Sequence, residues 1–373
     1  MALTTTKGNE MKHLIVVGAG VVGLSAARAA LRSGYSVTVL EQGSLPNPNA
    51  ASYDQHRLIR YQYGSAAGYT RMVGKAFEAW DKVWVDLGEV LFEKTGTLGI
   101  AHGSNDYVVK SLATLKALGI AHERMTSTEI ERIAPQLTLP ETAWGLLNSD
   151  GGALLADRIV DGLLAWNIAN GAEMRASCRV EHVDLERASV SLADGEVLEG
   201  DVLVIAAGAW LGQLLPSYSL PTYRQAVCYV EGPETMMAHW RNGPCLTDIG
   251  VGDNYALMPV RGTGLKFGSG AHRRAGSPSD GFGADLAEGY EVIASFAPYL
   301  RNADAYKPVG MAVGYYVKDS TEKFRVDAIG KSMIVTNCDG QMFKFGPLIG
   351  ERVIACAKGT ISADELQSWA AGA

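Results

Sequence analysis

The sequence predicts an α/β chain of two interleaved domains, one built on a doubly wound parallel sheet and the other on an antiparallel sheet. Three observations carry this. Residues 14–41 hold a complete strand–turn–helix–strand unit. A second fully apolar strand, Val202 to Ala206, enters an Ala-Gly turn far downstream, as a chain returning to the first sheet would. Residues 222–272 carry short alternating segments of antiparallel type. A chain of 373 residues also exceeds the size of a typical single core.

The first unit opens with the apolar run Leu14 to Val17. Gly18, Gly20 and Gly23 follow in the spacing G-x-G-x-x-G, then a helical stretch from Ser25 to Arg32, broken by Gly34. The β-branched run Val37 to Leu40 ends on Glu41, with Gln42 beside it. Each glycine has a physical job: Gly18 permits the tight turn, Gly20 lets backbone approach a pyrophosphate, and Gly23 lets helix pack on strand. The helix opens at Val21 and Val22, where unpaired N–H groups and the positive dipole end favour phosphate. A carboxylate at Glu41 can accept from both ribose hydroxyls, which favours FAD or NAD over NADP.

The remaining elements follow in order. Residues 44–55 read as a polar loop, and HRLIRYQYG (56–64) brings two arginines and two tyrosines together. Tyr69, Met72, Phe77, Trp80, Val83, Trp84 and Leu87 recur at helical spacing, so 69–88 is a core-facing helix. Residues 89–103 read as two short strands around Gly96. Thr126 and Glu129 form a capping-box pattern before a short helix. A helix is expected from Ala156 to Asn170, strands through 173–206, and a helix from Phe282 to Arg301. In QMFKFGPLIGERVIACAKG (341–359) the pattern is strand, glycine turn, then a helix from Pro347 whose N-terminus could meet the ligand.

Composition narrows the function. The net charge of −7 argues against nucleic acid. No apolar run is long enough for a membrane span, and MALTTTKGNE lacks a signal-peptide pattern, so a cytoplasmic protein with a disordered extension over residues 1–10 is expected. Five cysteines without C-x-x-C spacing, and seven scattered histidines, argue against a disulfide framework or a metal centre.

Five segments in order carry a family resemblance: the glycine motif with HRLIRYQYG, then VLVIAAGAW, YRQAVCYVE, GTGLKFG and QMFKFGPLIGE. Together they resemble the D-amino-acid-oxidase class of flavoproteins, and within it the monomeric sarcosine oxidase and N-methyltryptophan oxidase group, over about 11–359. The resemblance implies FAD, held by Gly18, Gly20, Val21, Val22, Gly23, Glu41, Gln42, Arg57, Ala207, Gly208, Trp210, Gly314, Gly340, Phe343 and Lys344. It implies that Arg60 and Lys344 bind a substrate carboxylate, with Tyr316 near them and Tyr255 in the wall. It gives Lys266 to oxygen reduction, and His272 to an active-site histidine only with a short shift. Most arginines and lysines are solvated surface charges. Arg60 and Lys344, however, sit in apolar, aromatic contexts (LIRYQY, MFKFG), and a buried cation needs an anionic partner.

The departures matter as well. Gly314 stands on the position of the cysteine to which the family attaches its flavin, so non-covalent FAD is implied. Gln341-Met342 replaces the usual Gly-His, and SYDQH differs from the family's loop before Arg57. The implied activity is oxidation of an amino acid or N-alkyl amino acid to an imine, with oxygen giving hydrogen peroxide. The alternatives are a flavin dehydrogenase using another acceptor, an NAD-dependent dehydrogenase, or a non-catalytic flavin binder. A monomer or small homo-oligomer is expected. The expected division is a flavin domain over 11–60, 150–215 and 306–373, and a substrate domain over 61–149 and 216–305.

Overall fold

The computed structural model describes residues 11–103 and 106–373; the expected extension over 1–10 lies outside the described residues. Strand β1 (His13–Val17), helix α1 (Val21–Arg32) and strand β2 (Ser36–Leu40) form the predicted unit. The six-stranded sheet runs Arg325–Ile329, Ser332–Thr336, Val202–Ile205, β1, β2, Glu173–Arg175. It is parallel except at Arg325–Ile329, with Leu14 opposite both Val202 and Val37. Its central strands are apolar throughout because both faces are covered. One face carries α1 with helices Ala156–Ala169 and Gly346–Ala357; the other carries a three-stranded sheet from residues 180–199. The close α1 contact is made by Gly350, where a Cβ would stand 2.6 Å from Ser25 backbone.

The larger sheet has nine strands and is antiparallel apart from the Cys245–Ile249/Thr97–Ala101 pair. A fourth, small sheet joins β3 (Arg57–Ile59) to Gly152–Leu154 and Phe92–Glu93, and so aims the arginine segment. The α/β class and the interleaving of the two sheets are as the sequence predicts. The capping box at Thr126 is present, with both reciprocal bonds to Glu129.

Four details differ from the sequence reading. Strand Lys307–Val317, placed by sequence with the flavin domain, pairs along its length with Thr222–Glu231 in the nine-stranded sheet. Helix α2 (Ala67–Leu87), placed by sequence in the substrate domain, packs into the core of the six-stranded sheet. Its Asp86 pairs with buried Arg28 of α1, and Trp80 Nε1 donates to the Lys344 carbonyl at 2.8 Å. The amphipathic stripe specifies one buried face but not what covers it. Residues 342–345 form a 3-10 turn rather than a strand, and the helix after it starts at Gly346 against Val21 of α1. The later helix begins at Leu286, where Asp285 caps it, rather than at Phe282.

Candidate active site

A cavity of about 370 Å³ opens at the C-terminal ends of the parallel strands, where Val17, Leu40, Ala206 and Thr336 line it. Ligands of open α/β sheets bind there. Gly18 turns the chain at φ +101°, and a Cβ on it would meet the Ala206 carbonyl at 2.5 Å. Gly23 does not line the cavity. Its role is close packing, since a Cβ there would fall 1.9 Å from the Gly18 oxygen. The N-terminus of α1 has no side-chain cap of its own, and Val21 N–H donates to Ser52 Oγ at 3.0 Å.

Glu41 is buried beside this turn. Its carboxylate accepts from Ala19 N–H at 3.0 Å, and from Gly43 N–H and Asn47 Nδ2, both at 2.9 Å. A glycine cradle at a helix N-terminus with a fixed carboxylate one strand away fits a dinucleotide: pyrophosphate at Gly18–Val22 and ribose at Glu41.

Gly18, Gly20, Val21, Val22, Glu41, Gln42, Arg57, Ala207, Gly208, Trp210, Tyr316, Gly340 and Phe343 all line the cavity. Sequence reasoning missed Asn47, Ala50–Ser52, Cys178–His182 and Cys338. The polar composition of 44–55 signals only a loop, and 178–182 reads only as strand. Gly314 faces Gln225 across the strand pair, and a Cβ there would have open space, but the residue does not line the cavity.

Beside the cavity lies a buried charge cluster. The Asp54 carboxylate binds Arg57, the Tyr229 hydroxyl and Lys266 Nζ, the last at 2.6 Å; Lys266 also donates to the His56 carbonyl. Burial opposes ionisation of Asp54, but Lys266 and Arg57 outweigh it and hold the carboxyl well below its usual range. Burial pulls the Lys266 ammonium down to about 8, with Asp54 opposing. Burial also drives the His56 imidazole well down, so it stays neutral. Two cations share one carboxylate, which leaves one net positive charge against the cavity wall.

Arg60 and Lys344 meet in a second cluster. Arg60 Nη1 lies 3.3 Å from Asp248 Oδ2, and its guanidinium stacks 5.5 Å from the Tyr107 ring centre. Asp248 occupies a left-handed conformation (φ +60°) at a register shift in its strand, a bulge that turns the carboxylate toward Arg60. Lys344 Nζ lies 2.8 Å from the Tyr63 hydroxyl. Tyr63, Tyr107, Asp339 and Gln341 line a second cavity of about 460 Å³ next to this pair. Neither Asp54 nor Asp248 is marked in the sequence: Lys266 reaches Asp54, and Arg60 reaches Asp248, across about two hundred residues of chain, although Arg57 lies only three residues from Asp54.

The other expected residues vary. Tyr255 packs over Gly268, where a Cβ would be 2.2 Å from its ring, and it stands near the charges of Arg57 and Asp54. It lines neither cavity. His272 also lines neither; its Nδ1 faces Glu291 at 4.0 Å. The arrangement therefore gives His272 no part in either cluster. Among the described residues there is no metal-binding cluster, and no helix is long and apolar enough to cross a membrane.

Comparison with known proteins gives the family and the fold. The pattern of the family described as FAD dependent oxidoreductase (DAO) matches residues 13–355. The chain is 25% identical over 352 residues to monomeric sarcosine oxidase of Bacillus sp. (strain B-0618), covering 91% of this chain and 90% of that one. It is 23% identical over 368 residues to N-methyl-L-tryptophan oxidase of Salmonella dublin, covering 95% and 97%. The structure of L-proline dehydrogenase from P. horikoshii has the same fold, with TM-score 0.81, 18% identity and 95% coverage of each chain.

Proposed function

The chain belongs to the FAD dependent oxidoreductase family, with FAD as its cofactor, and on that premise we propose an oxidase of amino acids or N-alkyl amino acids. The reaction converts the substrate C–N bond to an imine and passes the electrons to oxygen, giving hydrogen peroxide. One observation carries the substrate class: two mostly buried cations, Arg60 and Lys344, stand behind Tyr107 and Tyr63 of the second cavity, lining neither cavity themselves, and Lys344 has no carboxylate partner within 4.0 Å among the described residues. Such a pair binds a carboxylate in a fixed pose.

Bound FAD would supply the hydride acceptor. The chain's own residues do the rest. Gly18–Val22 and Glu41 would hold the pyrophosphate and ribose. Arg60 and Lys344 would anchor the substrate carboxylate and so orient the carbon to be oxidised. The Arg57–Asp54–Lys266 cluster would place one fixed positive charge where negative charge develops on oxygen. The relatives' names, oxidases of sarcosine and N-methyl-L-tryptophan, support this reading. Gln341-Met342 and the SYDQH loop depart from the family pattern, so sarcosine itself is not assigned. A cytoplasmic monomer or small homo-oligomer is part of the same proposal.

The test is anaerobic mixing of the yellow protein with amino acids and N-methyl amino acids, followed by loss of flavin absorbance. Arg60→Met is expected to weaken a reactive carboxylate substrate by about 2–4 kcal/mol with FAD retained. Equal reactivity of a substrate and its amide would refute the carboxylate assignment. Flavin bleaching by substrate with no oxygen uptake in air would favour a dehydrogenase instead.

The FAD linkage follows from the thiols. Gly314 supplies none, and burial pushes the cavity-lining Cys178 and Cys338 thiols up, away from the reactive thiolate. Acid precipitation is expected to release FAD into the supernatant. Yellow colour in the pellet would contradict this.

A further inference from the structure

Lys344 sits where a neutral amine is better tolerated than an ammonium. Its Nζ has the Tyr63 hydroxyl at 2.8 Å and the Gln341 carbonyl at 3.3 Å, both uncharged. The rings of Tyr63 and Phe345 lie 5.3 and 5.6 Å away. Just past the end of β3, Arg60 acts on it with a like charge, and Arg60 is itself faced by Asp248 and Tyr107. Among the described residues Asp339 is the one acidic group acting on Lys344, and its carboxylate is already engaged by Lys318 at 3.1 Å and Gln341 at 2.7 Å. A buried charge without a partner sheds its proton instead of staying ionised. Burial, followed by the Arg60 charge, accordingly pulls Lys344 down to about 7.

We propose that Lys344 is the base of this site: an amino acid docks its carboxylate on Arg60 and Lys344 while its ammonium gives one proton to the Lys344 amine. This rests on the carboxylate-site reading above. One N–H bond of the substrate ammonium breaks, one N–H bond forms at Nζ, and no proton is exchanged with solvent. The result pairs a lysine ammonium with a carboxylate. It also leaves the substrate nitrogen neutral, with the lone pair that C–N oxidation requires. The docking energy of the carboxylate thus drives the deprotonation that chemistry needs.

The sign of the pH dependence follows. Above about 7 the free amine of Lys344 is neutral. A ligand with a carboxylate but no proton to give must then draw one from solvent, so its affinity falls about tenfold per pH unit. A zwitterion brings its own proton, and its affinity stays flat until its own ammonium titrates.

Two ligands of nearly equal shape separate these cases: pivalate, and 2-aminoisobutyrate, which has no α-hydrogen to lose. Calorimetry on the FAD-loaded protein, in two buffers of different ionisation enthalpy, reads proton uptake directly. Near pH 8, pivalate is expected to take up about one proton per site, and its Kd to rise about tenfold per pH unit from 7 to 9. 2-Aminoisobutyrate is expected to take up none, with a flat Kd. Lys344→Arg, always charged, is expected to bind pivalate with no uptake and no pH dependence. Pivalate binding to wild type without proton uptake would overturn this proposal and leave the carboxylate site standing. Failure of both ligands at every pH would overturn the site itself, and this proposal with it.

Discussion

Lys266→Met is expected to slow the reaction of the reduced, FAD-loaded protein with oxygen by roughly 100-fold or more, about 3 kcal/mol. Reduction by substrate should change much less. Lys266 is buried and shares Asp54 with Arg57, so the cluster carries one net positive charge. Methionine of similar length removes that charge and leaves Asp54 balanced by Arg57 alone. Electron transfer to oxygen creates an anion in a poorly hydrated place, and a fixed cation lowers that barrier. Removing one partner of a buried ion group also destabilises the fold, by up to about 3–5 kcal/mol, less here because Arg57 and Tyr229 still hold Asp54. FAD content and melting temperature therefore accompany the measurement.

Stopped-flow reading of the two half-reactions separates the possibilities. Adding Asp54→Asn to Lys266→Met restores one net positive charge through Arg57 and should recover part of the oxygen rate. If both half-reactions slow equally, Lys266 is structural. If neither slows and wild type is itself sluggish with oxygen, the dehydrogenase is the better reading.

Gly23→Ala is expected to lower FAD affinity by roughly 100-fold, about 3 kcal/mol, the upper end for overpacking. The added Cβ would lie 1.9 Å from the Gly18 carbonyl oxygen and 3.2 Å from Val16 Cγ1. The Gly18 carbonyl is backbone and cannot step aside without moving the pyrophosphate cradle. Titration of the apoprotein with FAD measures the loss. Gly34→Ala serves as control: its φ is +82° but its Cβ would meet nothing within 4 Å. It should cost about 1 kcal/mol of stability and leave FAD affinity unchanged. Comparable FAD losses in both variants would show that general destabilisation, not the cradle, is at work.

By itself, the sequence determined what local chemistry can encode. The glycine spacing, the run Val37–Leu40 and Glu41 specify a strand, a turn and a carboxylate within thirty or so residues, so the dinucleotide cradle was readable. So were the capping box at Thr126 and the one-sided stripe of α2, because capping and helical periodicity act over a few residues. The segment resemblance then assigned Arg60, Lys266 and Lys344 to roles. Their environments came only with the tertiary structure. Lys266 meets Asp54 212 residues away, and Arg60 meets Asp248 188 residues away, by folding the two sheets together. The same closure packs α2 on the flavin-side core, moves Lys307–Val317 into the nine-stranded sheet, and leaves His272 outside both clusters. Residue type makes a lysine a cation, but burial and neighbours decide whether it holds its proton. That is why Lys266, with a carboxylate beside it, and Lys344, with a phenol and a carbonyl, are chemically different residues in one protein.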